Sequence, residues 1–323
     1  MKITIKEIAK RAGVSVGTVS KVIHNYTDVG DATRKRILDV MAETGYQAKV
    51  QRTKKRIGVI YGVRVSFNHP FFVEVMEAFS KEVGLLGYDL VFFSSKVMGI
   101  NYVAKCIEAE VTGCIVIGGD EIQQSIYQLD ESDIPCIGID IQLTGNRSGY
   151  VMTNNMNMGK KVIEHLYLTG HRDIGYIGGL VNTVVGMERE EGFRNGLAEF
   201  GLTVNQDWMM AGDFSEESGY QAMKQILANK AIPSAMFVAS DVMAFGAILA
   251  IRENGLAIPE DLAIVGCDDI EISKYTQPPL STIRQEKDKI GRLAAFMLVD
   301  LINGVLESSS VVVDCELLVR KTS

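Results

Sequence analysis

Apolar residues near the N-terminus recur at helical spacing in three segments, and each segment predicts a short helix. The first helix has its apolar face at Ile5, Ile8, Ala9 and Ala12. Gly13 follows and permits a tight turn, because glycine adopts positive φ without a steric penalty. Ser15 is a suitable N-cap for the second helix, whose inward face consists of Val19, Val22 and Ile23. The third segment, about 32–44, offers Ile37, Leu38, Val40 and Met41 to close a small core.

Two short helices joined by a glycine turn form a helix-turn-helix, in which the second helix enters the major groove of DNA. The outward residues at the start of this second helix are small or polar, with one cation. They are Ser15, Val16, Gly17, Thr18, Ser20 and Lys21. Such a surface suits contact with phosphates and base edges. The alternative interpretation is an ordinary solvated helix pair.

From Ile57 onward, short β-type runs alternate with helical patterns. The predicted strands are 57–61, 90–93, 114–117, 136–139, 174–177, 235–238, 262–265 and 311–317. The predicted helices are about 71–86, 102–110, 123–129, 156–168, 189–199, 217–227, 242–254 and 285–303. This alternation predicts buried parallel sheets with helical crossovers. Because more than 250 residues are too many for one open sheet, two α/β lobes are favoured.

Composition favours a globular protein with real hydrophobic cores. The chain has 323 residues, of which 47% are hydrophobic and 23% are charged. No apolar run approaches the roughly 20 residues that span a bilayer, and the polar N-terminus lacks the hydrophobic stretch of a signal peptide. We therefore expect a cytoplasmic protein without membrane contact.

The charge is distributed unevenly along the chain. Residues 1–56 hold 13 Lys and Arg against 5 Asp and Glu, a net charge of +8. The remaining residues hold 20 against 35, a net charge of −15. A basic head on an acidic body predicts that the head alone binds a polyanion such as DNA.

Residues 47–56 connect the head to the body and show no apolar periodicity. Five cations lie in this segment: Lys49, Arg52, Lys54, Lys55 and Arg56. We interpret the segment as a basic linker that contacts phosphates beside the bound head, with a solvated tether as the alternative. The predicted domains are therefore the head at 1–46, the linker at 47–56 and the body at 57–323.

The cysteines and histidines do not predict a metal site or a cofactor. The five cysteines are dispersed and include no CxxC pair: Cys106, Cys114, Cys136, Cys267 and Cys315. The four histidines lie far apart: His24, His69, His165 and His171. Metal-binding motifs need closer spacing of such ligands, so we interpret the cysteines as buried reduced thiols.

The chain resembles the LacI/GalR family of transcriptional regulators over nearly its whole length. The head segment TIKEIAKRAGVSVGTVSKVIHN, at 4–25, is similar to the helix-turn-helix of that family. Eight landmarks of the family body follow in order: IGV at 57–59, HPFF at 69–72, GHRDI at 170–174, REEGF at 189–193, GDFS at 212–215, SDVMA at 240–244, VGCDD at 265–269 and PPLSTIRQ at 278–285.

The resemblance implies an α/β fold with an N-terminal all-α helix-turn-helix head and a two-lobed, periplasmic-binding-protein-like (type I) body with parallel sheets. Lobe one would be about 57–153 plus 286–312, and lobe two about 154–285 plus 313–323. The implied function is a transcriptional repressor that binds a palindromic operator as a homodimer. A small-molecule effector, a sugar or sugar derivative, would bind between the lobes and control DNA binding.

The resemblance also implies two sets of binding residues. The effector cleft would be lined by His69, Phe71, Phe72, Asp140, Arg189, Phe214, Ser240, Asp268 and Gln285. Burial in the core is the alternative for Phe71 and Phe72. Besides the recognition helix, DNA contacts would come from Thr4, His24, Asn25, Arg34, Lys49, Arg52, Lys54 and Lys55.

The chain departs from the family pattern in the cleft and in the linker. Many members have Asn in place of His69 and of Ser240, and Arg in place of Ile141, so this cleft has fewer long polar side chains. Only ten residues separate Tyr46 from Ile57, and none of them is leucine. Because family members insert a linker leucine into the minor groove, we predict weak or absent intercalation here.

Two other classes of protein compete with this interpretation. In an enzyme with two α/β lobes, Asp268 and Asp269 would be an acid/base pair, but adjacent residues rarely face the same point and no catalytic motif accompanies them. In a solute-binding protein without DNA contact, the basic head would have no purpose. We therefore predict a regulator rather than an enzyme.

Overall fold

The structure, a computed structural model, describes residues 3–23, 26, 28–46, 55–62, 67–93, 100–118 and 124–323. It divides into two compact units, Met1–Lys54 and Lys55–Ser323. The described part of the N-terminal unit contains three helices: α1 (Ile5–Ala12), α2 (Val16–Ile23) and α3 (Asp31–Thr44). Along the described chain, no helix is long and apolar enough to cross a membrane.

The turn between α1 and α2 has the local chemistry that its sequence predicts. Gly13 ends α1 with a φ of 65°, and its N–H donates to the backbone carbonyls of Ala9 and Lys10. Ser15 caps α2, because its Oγ accepts a hydrogen bond from the backbone N–H of Thr18 at 3.0 Å.

The core of the N-terminal unit is small and draws on all three helices. Its buried residues are Ile8, Ala9, Ala12, Val19, Val22, Val29 and Ile37. One core prediction is wrong, since Leu38 is 49% exposed. Successive helical residues differ by about 100° around the axis, so Leu38 points away from the core that Ile37 enters, while Val40 and Met41 pack at its edge.

The second unit contains two six-stranded sheets. In spatial order, the first sheet consists of β11 (Ser309–Val313), β5 (Ser148–Thr153), β4 (Cys136–Ile139), β3 (Gly113–Ile117), β1 (Arg56–Tyr61) and β2 (Asp89–Phe93). The second consists of β12 (Glu316–Leu318), β10 (Ser281–Arg284), β9 (Ala263–Asp268), β8 (Ala235–Val238), β6 (Ile174–Gly178) and β7 (Met209–Ala211). Every pairing is parallel except that of β10 with β12. The predicted pair of parallel sheets is confirmed.

Helices cover the sheets and connect their strands. They are α4 (Pro70–Leu85), α5 (Tyr102–Glu108), α6 (Gln124–Asp130), α7 (Asn155–Leu168), α8 (Val184–Glu199), α9 (Glu216–Leu227), α10 (Asp241–Glu253) and α11 (Lys287–Ile302). We call the first sheet with α4, α5, α6 and α11 lobe one, and the second sheet with α7 to α10 lobe two. Each lobe has its own apolar core.

Several short elements differ from the prediction. The strands β5, β7 and β10 were not predicted, since β7 has only three residues and β5 and β10 each begin with small or polar residues. The single strand predicted at 311–317 is wrong, because β11 pairs with β5 in lobe one whereas β12 pairs with β10 in lobe two. Helix α8 begins at Val184, five residues before the prediction, because Thr183 Oγ1 accepts a hydrogen bond from Gly186 N–H.

The chain passes between the lobes three times. It leaves lobe one between β5 and α7, returns between β10 and α11, and leaves again between β11 and β12. The carboxyl ends of the parallel strands are the places where open α/β sheets bind ligands, and all three crossings follow such an end, after β5, β10 and β11.

Candidate functional site

A cavity of about 570 Å³ lies at the carboxyl ends of strands from both lobes. A volume of this size fits a small organic ligand. Its walls are formed by Asn68, His69, Pro70, Phe71, Phe72, Gly118, Asp140, Leu180, Thr183, Val185, Arg189, Asp213, Phe214, Ser215, Glu216, Val242, Phe245, Asp268, Ile270 and Ile272.

Seven of the nine predicted effector residues line this cavity: His69, Phe71, Phe72, Asp140, Arg189, Phe214 and Asp268. The other two, Ser240 and Gln285, are fully buried outside its wall. Ser240 Oγ accepts a hydrogen bond from the backbone N–H of Met243 and so caps α10. Gln285 accepts from Thr153 Oγ1 at 2.6 Å and donates to Asp268 Oδ1 at 2.7 Å. Gln285 therefore positions a cavity residue at a lobe crossing.

Arg189 is the positively charged group of the cavity wall, and it is only 3% exposed. Its Nε donates to Asn155 Oδ1 at 2.9 Å, and its Nη1 donates to the Ala239 carbonyl at 2.6 Å. Nη1 also lies 3.9 Å from Asp268 Oδ1, which is an ion pair without a hydrogen bond. The guanidinium is therefore held rigidly in place before any ligand binds.

Asp140 and Asp268 are buried carboxylates on opposite lobes. Asp140 follows β4 and is 8% exposed, while Asp268 ends β9 and is 3% exposed. Burial raises the pKa of each to about 6, and the charge of Arg189 opposes the rise. Among the residues that the structure describes, none donates a hydrogen bond to the buried Oδ2 of Asp268. Ligand N–H or O–H groups would satisfy these oxygens.

His69 lies in the cavity wall as a neutral imidazole. Burial, reinforced by the charge of Arg189, lowers its pKa to about 4. Within the described chain neither ring nitrogen has a hydrogen-bond partner, although both are buried. A neutral imidazole offers one donor and one acceptor, so His69 presents both to a ligand.

Aromatic rings form the apolar side of the cavity. Phe71 is 2% exposed and packs in the core of lobe one, so the core interpretation holds for most of its surface. Phe72 is half-buried and meets Phe71 edge-on, with 5.1 Å between ring centroids. Phe214 lies 5.9 Å from the Arg189 guanidinium carbon, and a side chain at Gly179 would collide with its ring.

The sequence interpretation missed an apolar wall of the cavity that comes from lobe two. Its residues are Leu180, Val185, Val242, Phe245, Ile270 and Ile272. In the sequence these positions look like ordinary helix or strand residues with a buried face. Only the strand-end position of Ile270, directly after the VGCDD segment, signals proximity to the predicted cleft.

The predicted DNA-binding surface of the N-terminal unit is mostly accessible. Thr4, Ser15, Val16, Gly17 and Lys21 are exposed, while Thr18, Ser20 and Arg34 are half-buried. His24, Asn25, Lys49, Arg52 and Lys54 lie outside the described residues.

Three of the predicted cations already have contacts in the structure. The Lys21 ammonium pairs with the Asp28 carboxylate, and its hydrogen bond lowers the Asp28 pKa. Arg34 donates to the backbone carbonyl of Tyr26. Lys55, which the sequence analysis places within the linker, is the first residue of the second unit, and its ammonium lies 5.0 Å from the centre of the Tyr88 ring.

A helix-turn-helix unit combined with a two-lobed ligand-binding unit defines the class of effector-controlled transcriptional regulators. Comparison with known proteins identifies the family within that class. Residues 4–49 match the family described as bacterial regulatory proteins, lacI family, and residues 163–323 match the periplasmic binding protein-like domain.

Similar proteins cover the whole chain. The HTH-type transcriptional repressor PurR of Pasteurella multocida (strain Pm70) is 36% identical over 330 residues, covering 99% of this chain and 98% of that protein. The lac repressor dimer bound to operator and the anti-inducer ONPF has a TM-score of 0.85 at 26% identity, covering 100% of this chain and 99% of the other. A CelR–cellobiose complex has a TM-score of 0.77 at 28% identity, with full coverage of both chains. The chain belongs to the LacI family and is a DNA-binding transcriptional repressor, not an enzyme.

Proposed function

We propose that the chain acts in the cytoplasm as a homodimer that binds a palindromic operator and is controlled by a small molecule in the cavity between its lobes. The observation that supports this proposal most strongly is the cavity itself. It joins residues from both lobes around Arg189, so an occupant contacts both lobes together. A ligand that binds one lobe arrangement better than another shifts the population toward it.

The DNA-binding part of the proposal rests on the exposed start of α2. Val16, Gly17 and Lys21 form an accessible surface that suits insertion into the major groove. The side chains of Val16 and Gly17 are short, so direct base readout would depend on Lys21 and on an apolar contact from Val16. Thr4, Ser15 and Arg34 would contact phosphates, which position the helix.

The proposed effector belongs to the carbohydrate class, as a sugar or sugar derivative. Phe72 and Phe214 offer faces that pack against the C–H groups of a ring, while Arg189 and the two buried aspartates bind its polar groups. A CelR–cellobiose complex and a lac repressor bound to ONPG are among the structures similar to this chain. These similarities support a ring-shaped ligand.

Dimerisation is proposed because a palindromic site needs two recognition helices, and the similar lac repressor structure is a dimer. Helix α4 carries three large apolar residues in a row of helical turns, Val75, Met76 and Phe79. All three pack in the core of lobe one. A contact through α4 would therefore use Val73, which is 47% exposed.

Selection from random double-stranded DNA, followed by anisotropy measurements with the full chain, tests the proposal. We expect a palindromic consensus and at least one sugar or sugar derivative that changes DNA affinity about tenfold. Arg189→Met and the milder Phe72→Ala should abolish this response but retain DNA binding. A consensus without two-fold symmetry would contradict the dimeric part, and a DNA affinity that no such compound changes would contradict the effector part.

A further inference from the structure

A buried ammonium of lobe one contacts the lobe-two strand that ends at the cavity residue Asp268. Lys287 begins α11, directly after the chain crosses from lobe two into lobe one, and it is only 8% exposed. Its Nζ donates to the backbone carbonyls of Asp268 at 2.9 Å and of Asp269 at 2.7 Å. The same Nζ lies 3.3 Å from Oε2 of Glu74 on α4. Since an ammonium has three N–H donors, these three oxygens account for all of them.

The two carbonyls that Lys287 binds belong to residues with unusual backbone conformations. Asp268 has a φ of 124° and Asp269 has a φ of 49°. In an extended strand successive carbonyls point in opposite directions, whereas here both reach the same nitrogen. Such conformations persist only where the surrounding structure enforces them. The hydrogen bonds from Lys287 are therefore part of what fixes the backbone at Asp268.

Contacts within lobe two hold the same segment as well. The carboxylate of Asp241 accepts a hydrogen bond from the backbone N–H of Ile270 at 3.0 Å. The carboxylate of Asp269 pairs with Arg320, which follows β12. These contacts keep the segment in place within its own lobe. Lys287 differs from them because it belongs to lobe one, so its hydrogen bonds report the position of one lobe relative to the other.

Glu74 connects Lys287 to the helix that carries two cavity residues. Phe71 and Phe72 line the cavity from the first turn of α4, and Glu74 follows Phe71 by one turn. A buried ammonium is costly unless it is paired, and the Glu74 carboxylate supplies the opposite charge. One nitrogen thus joins α4 and α11 of lobe one to the end of β9 in lobe two. A movement of Asp268 relative to α4 has to stretch or break these bonds.

We propose that Lys287 is a positioning residue of the effector site, which fixes the Asp268 backbone and transmits its displacement to Glu74 and α4. A ligand that contacts Asp268 and shifts the end of β9 changes the hydrogen bonds of the ammonium. The displacement then reaches α4 next to Val73, the exposed residue of the proposed dimer contact. This inference rests on the proposed function, because it assigns a residue through which the effector of that cavity acts.

A purely structural role of Lys287 leads to a different expectation. In that case the lysine would only neutralise Glu74 and stabilise lobe one, and a change at Glu74 would leave lobe two untouched. In the proposed role, a change at Glu74 reaches the segment after β9, although that segment lies in the other lobe. It does so only while the ammonium of Lys287 is present, so the two changes are not additive.

Hydrogen exchange of the ligand-free full chain tests this coupling. Peptides that span 269–275 contain the hydrogen-bonded amides of Ile270, Ser273 and Tyr275. We expect Lys287→Met to speed their exchange about tenfold, because two hydrogen bonds from a charged donor are lost. Glu74→Ala should speed it about threefold, since the ammonium is then held less firmly. The double variant should exchange no faster than Lys287→Met alone.

Two controls separate this effect from a general loss of stability. Glu77→Ala removes an exposed carboxylate one turn after Glu74 on the same helix, and it should leave exchange in lobe two unchanged. The amides of β8, a fully buried strand of lobe two, serve as the internal reference. They should exchange equally slowly in all variants, because the proposed effect is confined to the segment after β9.

Operator binding by the same variants tests whether this contact matters for regulation. Lys287→Met should change the operator affinity of the ligand-free protein at least about fivefold, the lower end of typical coupling between sites. Glu74→Ala should change it in the same direction, and the double variant should go no further than Lys287→Met. Fluorescence anisotropy with the selected operator measures these affinities.

Four results would overturn the inference. They are unchanged exchange at 269–275 in Glu74→Ala, additive effects of the two changes, equal acceleration in β8, and an operator affinity that none of the variants changes. The proposed function fails on a different result, namely an operator affinity of the unmodified protein that no sugar or sugar derivative changes.

Discussion

Three residues of the cavity wall have a positive φ, which glycine adopts most easily and other residues adopt rarely. Asp140, Phe214 and Asp268 have φ values of 55°, 68° and 124°. Such conformations cost on the order of 1–3 kcal/mol each for other residues, and they persist where the surrounding structure enforces them. Here they direct two carboxylates and an aromatic ring into one cavity, so local backbone strain is concentrated at the site.

The buried carboxylate of Asp140 makes stability depend on pH. Its pKa in the folded protein is about 6, above the usual 3.8, so folding favours the protonated form. The protonated Asp140 carboxyl therefore stabilises the folded protein fully below pH 3.8. This stabilisation is lost as the pH rises through 6 and the carboxyl ionises. The charged groups that face it are Arg189, Asp268 and Glu188.

We expect Asp140→Asn to be more stable than the unmodified protein at pH 7.5, by roughly 2 kcal/mol. The difference should shrink as the pH falls through 6 and disappear near pH 4. Urea unfolding of the ligand-free protein across this range measures the effect, with Asp89→Asn as the control, because Asp89 is an exposed carboxylate at the amino end of β2. If Asp140→Asn and the unmodified protein had equal free energies of unfolding at pH 7.5, the charge of Asp140 would not destabilise the folded state and the prediction would be wrong.

Lys21 is the residue of α2 whose role in DNA binding can be tested most directly. If it contacts a base edge, Lys21→Ala should relax the preference at one base pair of each half-site, at a cost of about 1–3 kcal/mol for the preferred base. Anisotropy with the selected operator and its single-base variants measures this. An equal loss on all sequences would identify Lys21 as a phosphate contact. Because Lys21 pairs with Asp28 in the free protein, Asp28→Asn is the companion variant, and it should strengthen binding to all sequences.

At the scale of elements, α7 and α8 pack with their backbones unusually close. A side chain at Gly192 would lie 2.3 Å from the Met156 carbonyl oxygen, and one at Gly159 would lie 2.2 Å from the Gly192 carbonyl carbon. These glycines allow the two helices to approach, and α8 carries Arg189. The position of the guanidinium therefore depends on the contact between these helices.

Gly192→Ala should destabilise the second unit by at least about 2 kcal/mol, because it forces the helices apart. Gly84→Ala is the matched control, since Gly84 lies in α4 with open space around its Cα. That change should stabilise the protein by about 0.5–1 kcal/mol, because alanine loses less entropy than glycine in a helix. Thermal unfolding of both variants measures the contrast, and equal Tm values would contradict the packing argument.

At the scale of the whole molecule, the length and composition of the linker predict how the operator is bound. Ten residues without leucine separate Tyr46 from Ile57, and residues 47–54 lie outside the described part of the structure. An apolar wedge is what kinks DNA in minor-groove complexes. Phosphate contacts by the linker cations would instead make binding strongly dependent on salt.

We therefore predict that the operator stays nearly straight in the complex. Bending is measured by energy transfer between dyes at the ends of the operator, with and without protein. Neutralising Lys49 and Arg52 together should reduce the slope of log affinity against log salt by about 2. A sharp central kink at an unstacked base step would contradict the prediction.

Local spacing was sufficient for much of the fold, whereas the cavity residues came from the resemblance to a family. The turn at Gly13, the cap at Ser15 and the helix and strand alternation all follow from neighbouring residues, because hydrogen-bond geometry and side-chain periodicity act over a few residues. Seven cavity residues were identified through family motifs. His69 and Asp140 are among these seven residues, although their spacing in the sequence does not by itself bring them together.

The tertiary structure settled which surfaces meet. Residues 311–317 read as one strand, but pairing with β5 and with β10 divides them between two lobes. Gln285 and Ser240 have the chemistry of ligand contacts, yet their hydrogen bonds direct them to Asp268 and to α10. The buried Oδ2 of Asp268, to which no described residue donates a hydrogen bond, is equally invisible in the sequence, because burial depends on side chains that are distant in the chain and adjacent only after folding.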